Sequence, residues 1–299
     1  MEPKEYKKII NKLIRTIEKY GIPEKVKKWN KPRLRYDFKN YDDFHSFIFD
    51  LAKSYDKHTF IIDSEKEAEY MEKNKREVKN DRKQPIIKIL KDGILYIKFF
   101  HYYNNYTGDW KKNIENWVSK AKPKIDKALE KNLNGIVIDL SEHHGGNMWP
   151  AVRSLGNIYG ETTLLRFTSE KDWINMGKEK EKGGKFISDK LKFKKPIAVI
   201  VSEDTASSGE IIAATFKGRK NSFFIGDKTN KSGGFLSANQ GFYIDKKENL
   251  ELILTISLVE TVDKKIITSE YLRVKKSDDA IGDSISKILS YSKKKLQKE

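Results

Sequence analysis

The chain has 299 residues, no cysteine and a formal net charge of +17, with 37% hydrophobic and 11% aromatic residues. That length and apolar content suffice for a sizeable packed core, and the lack of cysteine excludes disulfides, thiolate metal sites and cysteine nucleophiles. Acidic residues are interleaved with the lysines along the whole sequence, so the positive excess reads as a solvated surface and nucleic acid is not expected as a partner.

Residues 4–20 set Ile9, Ile10, Leu13, Ile14 and Ile17 at helical spacing, predicting an amphipathic helix that ends near Gly21-Ile22-Pro23. A second helix is predicted after Asn40, with Tyr41, Phe44, Phe47, Ile48 and Leu51 on one face, leading to Asp56-Lys57-His58-Thr59 and a short strand at Phe60-Ile61-Ile62. From Ser64 to Lys83 nearly every residue is polar or charged, which predicts a loop or a solvated helix. Ile86–Leu90 and Ile94–Phe100, joined by Lys91-Asp92-Gly93, read as a hairpin. A long amphipathic helix over 110–131 precedes a buried strand at Gly135–Leu140; Pro196–Val201 is another buried strand, followed by a helix at Ile211–Phe216. Strands recur at Phe223–Gly226 and Leu250–Ile256, and a last helix over about 281–292 leaves Lys293-Lys294-Lys295 as a frayed tail. Helix alternating with apolar strand predicts an α/β layered domain. No apolar run approaches the roughly 18 residues of a membrane span and no signal-peptide core follows Met1, so the expectation is a cytoplasmic protein without membrane contact.

Three stretches carry candidate chemistry. Thr205-Ala206-Ser207-Ser208-Gly209-Glu210 stands at a strand-to-helix turn, where a serine either caps the helix, with Glu210 completing a capping box, or is presented as a nucleophile near free backbone N–H groups. Asp139-Leu140-Ser141-Glu142-His143-His144-Gly145-Gly146 ends a buried strand in two glycines, which reads either as an ordinary loop or as a turn whose N–H groups approach a ligand closely. The His143-His144 pair points apart in an extended turn and has no nearby ligand cluster, so no metal is expected; both histidines are candidates for lining a substrate cleft. His58 becomes a candidate because a serine nucleophile needs a base. Gly226–Phe235 lacks the Gly-Lys-Ser/Thr ending of a phosphate loop, and no cofactor is expected.

Together these stretches resemble the serine peptidase family that includes C-terminal processing (tail-specific) peptidases, the tricorn protease core and retinoid-binding protein repeats. The resemblance runs over about residues 40–280 and rests on Asp139–Gly146, Ser207-Ser208-Gly209-Glu210 and Gly226-Asp227-Lys228-Thr229 in that order. It implies a crotonase/ClpP-like spiral β-α core over 84–299, preceded by a small helical N-terminal region over 1–83. It also implies peptide or protein substrates, Ser207 as nucleophile, and an oxyanion hole from Ser208, Gly145 and Gly146. The processing branch would use a lysine base, displaced here to Lys231 because Ser232 holds its place; Thr229 and Lys231 are cleft candidates. The tricorn-like branch would use a histidine, matched by His58 in Asp56-Lys57-His58-Thr59, oriented through an acid for which Glu260 is the first choice. Ser141 and His143 depart from the family's arginine and asparagine, and there is no room before Pro85 for an inserted peptide-binding domain. The second reading implied is a non-catalytic peptide- or apolar-ligand-binding protein on the same fold; the assembly state is left open.

Overall fold

The computed structural model describes residues 3–63, 83–103, 110–159, 162–167, 174–176, 193–217, 219, 221–229, 236–260, 266–268, 272 and 274–296. The charged segment at 64–82, Lys231 and Ser232 lie outside the described residues. The chain divides into two compact units, the first made of the described residues up to Asp63, Phe167 and Ser237–Leu258, the second of the remainder.

In the first unit, α1 (Pro3–Tyr20) buries the predicted Ile9, Ile10, Leu13, Ile14 and Ile17. A short α2 (Pro23–Lys28) starts with proline at its first position, where the missing N–H is harmless. Helix α3 (Tyr41–Tyr55) begins at Asn40, whose side chain accepts the Asp43 N–H at 2.9 Å. Strand β1 (Phe60–Asp63) pairs antiparallel with β10 (Leu250–Glu260), which pairs antiparallel with β9 (Ser237–Asp245). The apolar faces of α1 and α3 close over this sheet, sharing a core with Ile61, Ile244, Leu250, Leu252 and Leu254. Two polar contacts fix the connections: Tyr55 Oη accepts the Ile22 N–H at 2.7 Å, and Trp29 Nε1 donates to Ser54 Oγ at 3.0 Å.

The second unit is built on a six-stranded sheet in the order β11-β8-β7-β4-β3-β2. Its strands are β2 (Ile86–Leu90), β3 (Ile94–Lys98), β4 (Gly135–Asp139), β7 (Ile197–Val201), β8 (Ser222–Gly226) and β11 (Lys275–Lys276). β2 runs antiparallel to β3, and β3, β4, β7, β8 and β11 are mutually parallel. Helix α4 (Trp110–Leu129) joins β3 to β4, as a parallel connection requires. One sheet face, with Ile94, Tyr96, Val137, Ala198, Ile200 and Ile225, packs against Ile288 of α8 (Ala280–Leu296). Ile97, Ile136, Ile138 and Val199 alternate onto the opposite face and are equally buried. Burial of both faces explains why these strands read as continuous apolar runs. Short helices α5 (Trp149–Ser154) and α6 (Gly156–Tyr159) follow β4, and β5 (Thr162–Phe167) pairs antiparallel with β6 (Ile174–Met176). Helix α7 (Ser208–Ala214) leaves the end of β7.

The α/β class expected from the sequence is the class observed, a parallel sheet layered with helices. Two details differ. Lys293-Lys294-Lys295, read as a frayed tail, continue α8 to Leu296, in keeping with the good helix propensity of lysine. β9 was not foreseen, because Asn239, Gln240 and Gly241 are exposed and give no apolar alternation. Among the described residues no helix is long and apolar enough to cross a membrane.

Phe44 is fully buried against the rings of Tyr6, Phe38 and Tyr41. Phe44→Ala is expected to lower stability by about 3–5 kcal/mol, while Ile89→Ala on the exposed face of β2 changes it by less than about 0.5 kcal/mol. Urea titration followed by tryptophan fluorescence checks this, and equal shifts of the two variants would contradict the packing.

Candidate active site

β4 and β7 are neighbours in a parallel ladder, so the segments following them emerge along one edge of the sheet. The ladder continues past the strands: the Leu140 N–H donates to Ile200 O at 2.9 Å. Side chains then take over. Thr205 Oγ1 donates to Leu140 O at 2.8 Å and accepts the Ser202 N–H at 2.9 Å, and Ser202 Oγ donates to Ser141 O at 2.6 Å. The Ala206 N–H donates to His143 O at 3.0 Å, closing the seam one residue before Ser207.

This seam sets Gly145 against Ser207. A β-carbon on Gly145 would stand 3.3 Å from Ser207 Cβ and 3.9 Å from its Oγ. Gly145 and Gly146 have φ of 121° and 92°, a region open to glycine and strained for other residues. Asn147 N–H donates to Tyr102 O at 2.6 Å, so the turn is also held to the segment after β3.

Ser207 is the N-cap of α7 and has φ 50° and ψ −112°. A non-glycine residue held there stores about 1–3 kcal/mol of backbone strain, and such positions cluster at functional sites. The restraint is visible. Ser207 N–H donates to Glu210 Oε2 at 3.1 Å, and Thr229 Oγ1 donates to Glu210 Oε1 at 2.7 Å. Glu210 and Thr229 are 2% and 3% exposed. Two of the motifs singled out in the sequence therefore meet on one buried carboxylate, and Thr229, a cleft candidate, is found inside the protein as its second partner. Ser208 is buried, and its Oγ has no hydrogen-bond partner among the described residues.

Of the two adjacent histidines, only His144 is exposed; its Nδ1 lies 3.3 Å from Asp204 O. His143 is buried, and its Nδ1 has no hydrogen-bond partner among the described residues. Burial, reinforced by the neighbouring His101 and His144, pushes its pKa down from 6.5 to about 4, so the ring is neutral at neutral pH. The His101 ring stacks at a tilt 5.4 Å from His144 and 5.2 Å from Tyr103. The sequence reading missed His101 and Tyr103, which carry no motif; the register of β3 beside β4 is what brings them to this edge. Asp139, at the end of β4, accepts the Tyr96 hydroxyl at 2.5 Å and the Ser141 N–H at 2.9 Å. Lys98 from β3 lies 3.8 Å from Asp139 and 2.5 Å from Glu142, so a lysine on the next strand supplies the positive charge at this turn. Among the described residues no group of three His, Asp or Glu side chains is arranged to hold a metal ion.

His58 belongs to the first unit. It lies in a turn after α3, closed by the Thr59 N–H on Asp56 O at 2.9 Å, and its side chain is one-third exposed. Asn239 Nδ2 on β9 donates to His58 O at 2.8 Å. Glu260, the last residue of β10, is buried in the second unit, where its backbone bridges to Ile266. The structure thus gathers Ser207, Gly145, Glu210 and Thr229 into one assembly, while His58 and Glu260 belong to different compact units.

Glu210→Ala would leave the Ser207 N–H and the Thr229 hydroxyl without their acceptor, at about 1–3 kcal/mol each, and Thr229→Val should show the smaller loss. Chemical denaturation of both single variants and the double variant checks this; additive effects would mean the two residues do not act through one carboxylate. His143 gives a pH signature. Its folded pKa lies below the unfolded value, so its contribution is complete above about pH 6.5 and is lost as pH falls through about 4. His143→Asn is expected to flatten the stability–pH curve over that window, and an unchanged slope would contradict a buried neutral ring.

The sequence pattern of Peptidase family S41 matches residues 93–271, more than half of the chain. The nisin-resistance protein of Lactococcus lactis subsp. lactis is 34% identical over 140 residues, which are 43% of this chain and 42% of that protein. This chain therefore matches less than half the length of that relative. Among solved structures, a lipoprotein from Streptococcus agalactiae superimposes with a TM-score of 0.67 at 21% identity, over 97% of each chain, a likeness of fold. The assembly of Ser207, the Gly145–Gly146 turn, Glu210 and Thr229 lies within the matched span, and the chain belongs to peptidase family S41.

Proposed function

We propose that the protein is a serine-type endopeptidase of the tricorn-like, histidine-using kind, with Ser207 as nucleophile and His58 as general base. The observation that carries this reading is Ser207 at φ 50°, pressed against the Gly145 turn and restrained by Glu210. A serine that only capped a helix would adopt ordinary extended angles. In the proposed reaction Ser207 Oγ attacks the scissile carbonyl carbon as its proton passes to His58. The tetrahedral oxyanion is held by backbone N–H groups of Ser208 and the Gly145–Gly146 turn. His58 then gives the proton to the departing amine, and water, deprotonated by the same ring, cleaves the acyl-enzyme to a carboxylic acid and free Ser207.

Substrates would be peptides or proteins. The name of the Lactococcus relative makes nisin the first peptide to assay. His144, with His101 and Tyr103 beside it, is the candidate substrate-lining surface.

Fluorophosphonate labelling of the full chain tests the assignment. Ser207→Ala is expected to abolish labelling and Ser208→Ala to retain it; a labelled Ser207→Ala protein would sink the nucleophile. His58→Gln is expected to suppress labelling, whereas suppression by Lys231→Met alone would move the base to the lysine of the processing branch. A folded chain that takes up no label yet binds a peptide would favour the non-catalytic reading. Because a β-carbon on Gly145 would press on Ser207 and its φ of 121° is strained for alanine, Gly145→Ala should displace the turn that carries the proposed donors and lower turnover by about 100- to 1,000-fold, the loss typical when one donor no longer reaches the oxyanion.

A further inference from the structure

The histidine turn in the first unit contains a carboxylate of its own. Asp56 directly follows α3, and its Oδ1 accepts the His58 backbone N–H at 2.9 Å while lying 3.4 Å from His58 Nδ1. Thr255 Oγ1 on β10 stands 3.1 Å from the same oxygen and 3.1 Å from Asn239 Oδ1. Lys25 of α2 pairs with Oδ2. Asn239 in turn holds the His58 carbonyl, and Thr59 Oγ1 accepts the Thr255 N–H at 3.1 Å. Residues from α2, β9 and β10 thus fix the backbone of the turn and both oxygens of the acid.

We propose that Asp56 is the positioning residue of the catalytic histidine: Oδ1 accepts the Nδ1–H of His58 and so leaves Nε2 as the basic nitrogen that takes the Ser207 proton. The proposal rests on the reading of His58 as base and gives the orienting role, expected for Glu260, to Asp56.

Two observations support it. The Asp56 side chain is 9% exposed while that of His58 is 33% exposed, so the acid is sheltered and the ring keeps an open side. Burial of Asp56 disfavours its charged form, but hydrogen bonds from His58 and Lys25 outweigh that and hold the carboxyl below the usual carboxylate range. It therefore stays ionised while the imidazole gains and loses its proton, as an orienting acid must. The basic groups shown in contact with the acid are Lys25 and His58 themselves.

The test uses the full chain with Asp56→Asn, Asp56→Glu, Glu260→Gln and His58→Gln, plus Lys25→Met combined with Asp56→Asn to remove the stranded ammonium. Two readouts are followed: the rate of fluorophosphonate labelling of Ser207, and the tautomer of the His58 ring by nitrogen-15 NMR. Asp56→Asn is expected to slow labelling by about 10⁴-fold, the loss seen when a triad aspartate is replaced by asparagine. It should also shift the ring toward the Nε2–H tautomer. Asp56→Glu should recover part of the rate, the Lys25 double variant should fold and still label slowly, and Glu260→Gln should label near the unsubstituted rate. A structural role alone would leave the His58 tautomer unmoved. If His58→Gln stops labelling while Asp56→Asn changes neither rate nor tautomer, Asp56 is not the orienting acid and the base assignment survives. If His58→Gln labels at the unsubstituted rate, the base assignment itself fails.

Discussion

The candidate site of the second unit depends on the hydrogen-bonded seam between the segments that follow β4 and β7. Two parallel strands deliver those segments side by side, but a ladder of backbone bonds would end with the strands. Thr205 and Ser202 prolong it with hydroxyl groups that reach the carbonyls of Leu140 and Ser141, and His143 O receives the Ala206 N–H. Each bond contributes only about 1 kcal/mol net, yet together they leave Ser207 and Gly145 with little freedom to separate. Position, more than stability, is what they supply.

Glu210 serves the same end from inside. A buried carboxylate is tolerated only where its oxygens are satisfied, and here one accepts from the Ser207 N–H and the other from Thr229. The capping reading and the catalytic reading of this turn are therefore compatible: the glutamate half of a capping box restrains a serine held at positive φ. His143 shows the opposite treatment of charge. Buried with its Nδ1 unpartnered among the described residues, it is kept neutral, so its imidazole contributes shape and its carbonyl contributes the seam.

Much of the fold was legible because its elements bury whole faces. The isoleucines of α1, the aromatic face of α3 and the apolar runs of β4 and β7 follow periodicities that only burial explains. β9 escaped because it is largely exposed and takes its conformation from pairing with β10. At the site, Ser207, Gly145 and Gly146 were readable as strand-end motifs. Thr229 was readable as a motif but not as a buried partner of Glu210, since a hydroxyl's hydrogen-bond partner across 19 residues leaves no local pattern. His101 and Tyr103 had no signal at all.

By itself, then, the sequence determined the α/β class, the amphipathic helices and the turns able to carry chemistry, because hydrophobic period and glycine placement are local properties. The tertiary structure decided which of those turns touch. It brought Gly145 to Ser207 through a seam of side-chain hydrogen bonds, drew Thr229 inward to Glu210, and surrounded the His58 turn with Lys25, Asn239 and Thr255. Those partners lie as many as about 200 residues apart along the chain. Hydrogen-bond geometry over such separations is fixed only once the sheets have formed.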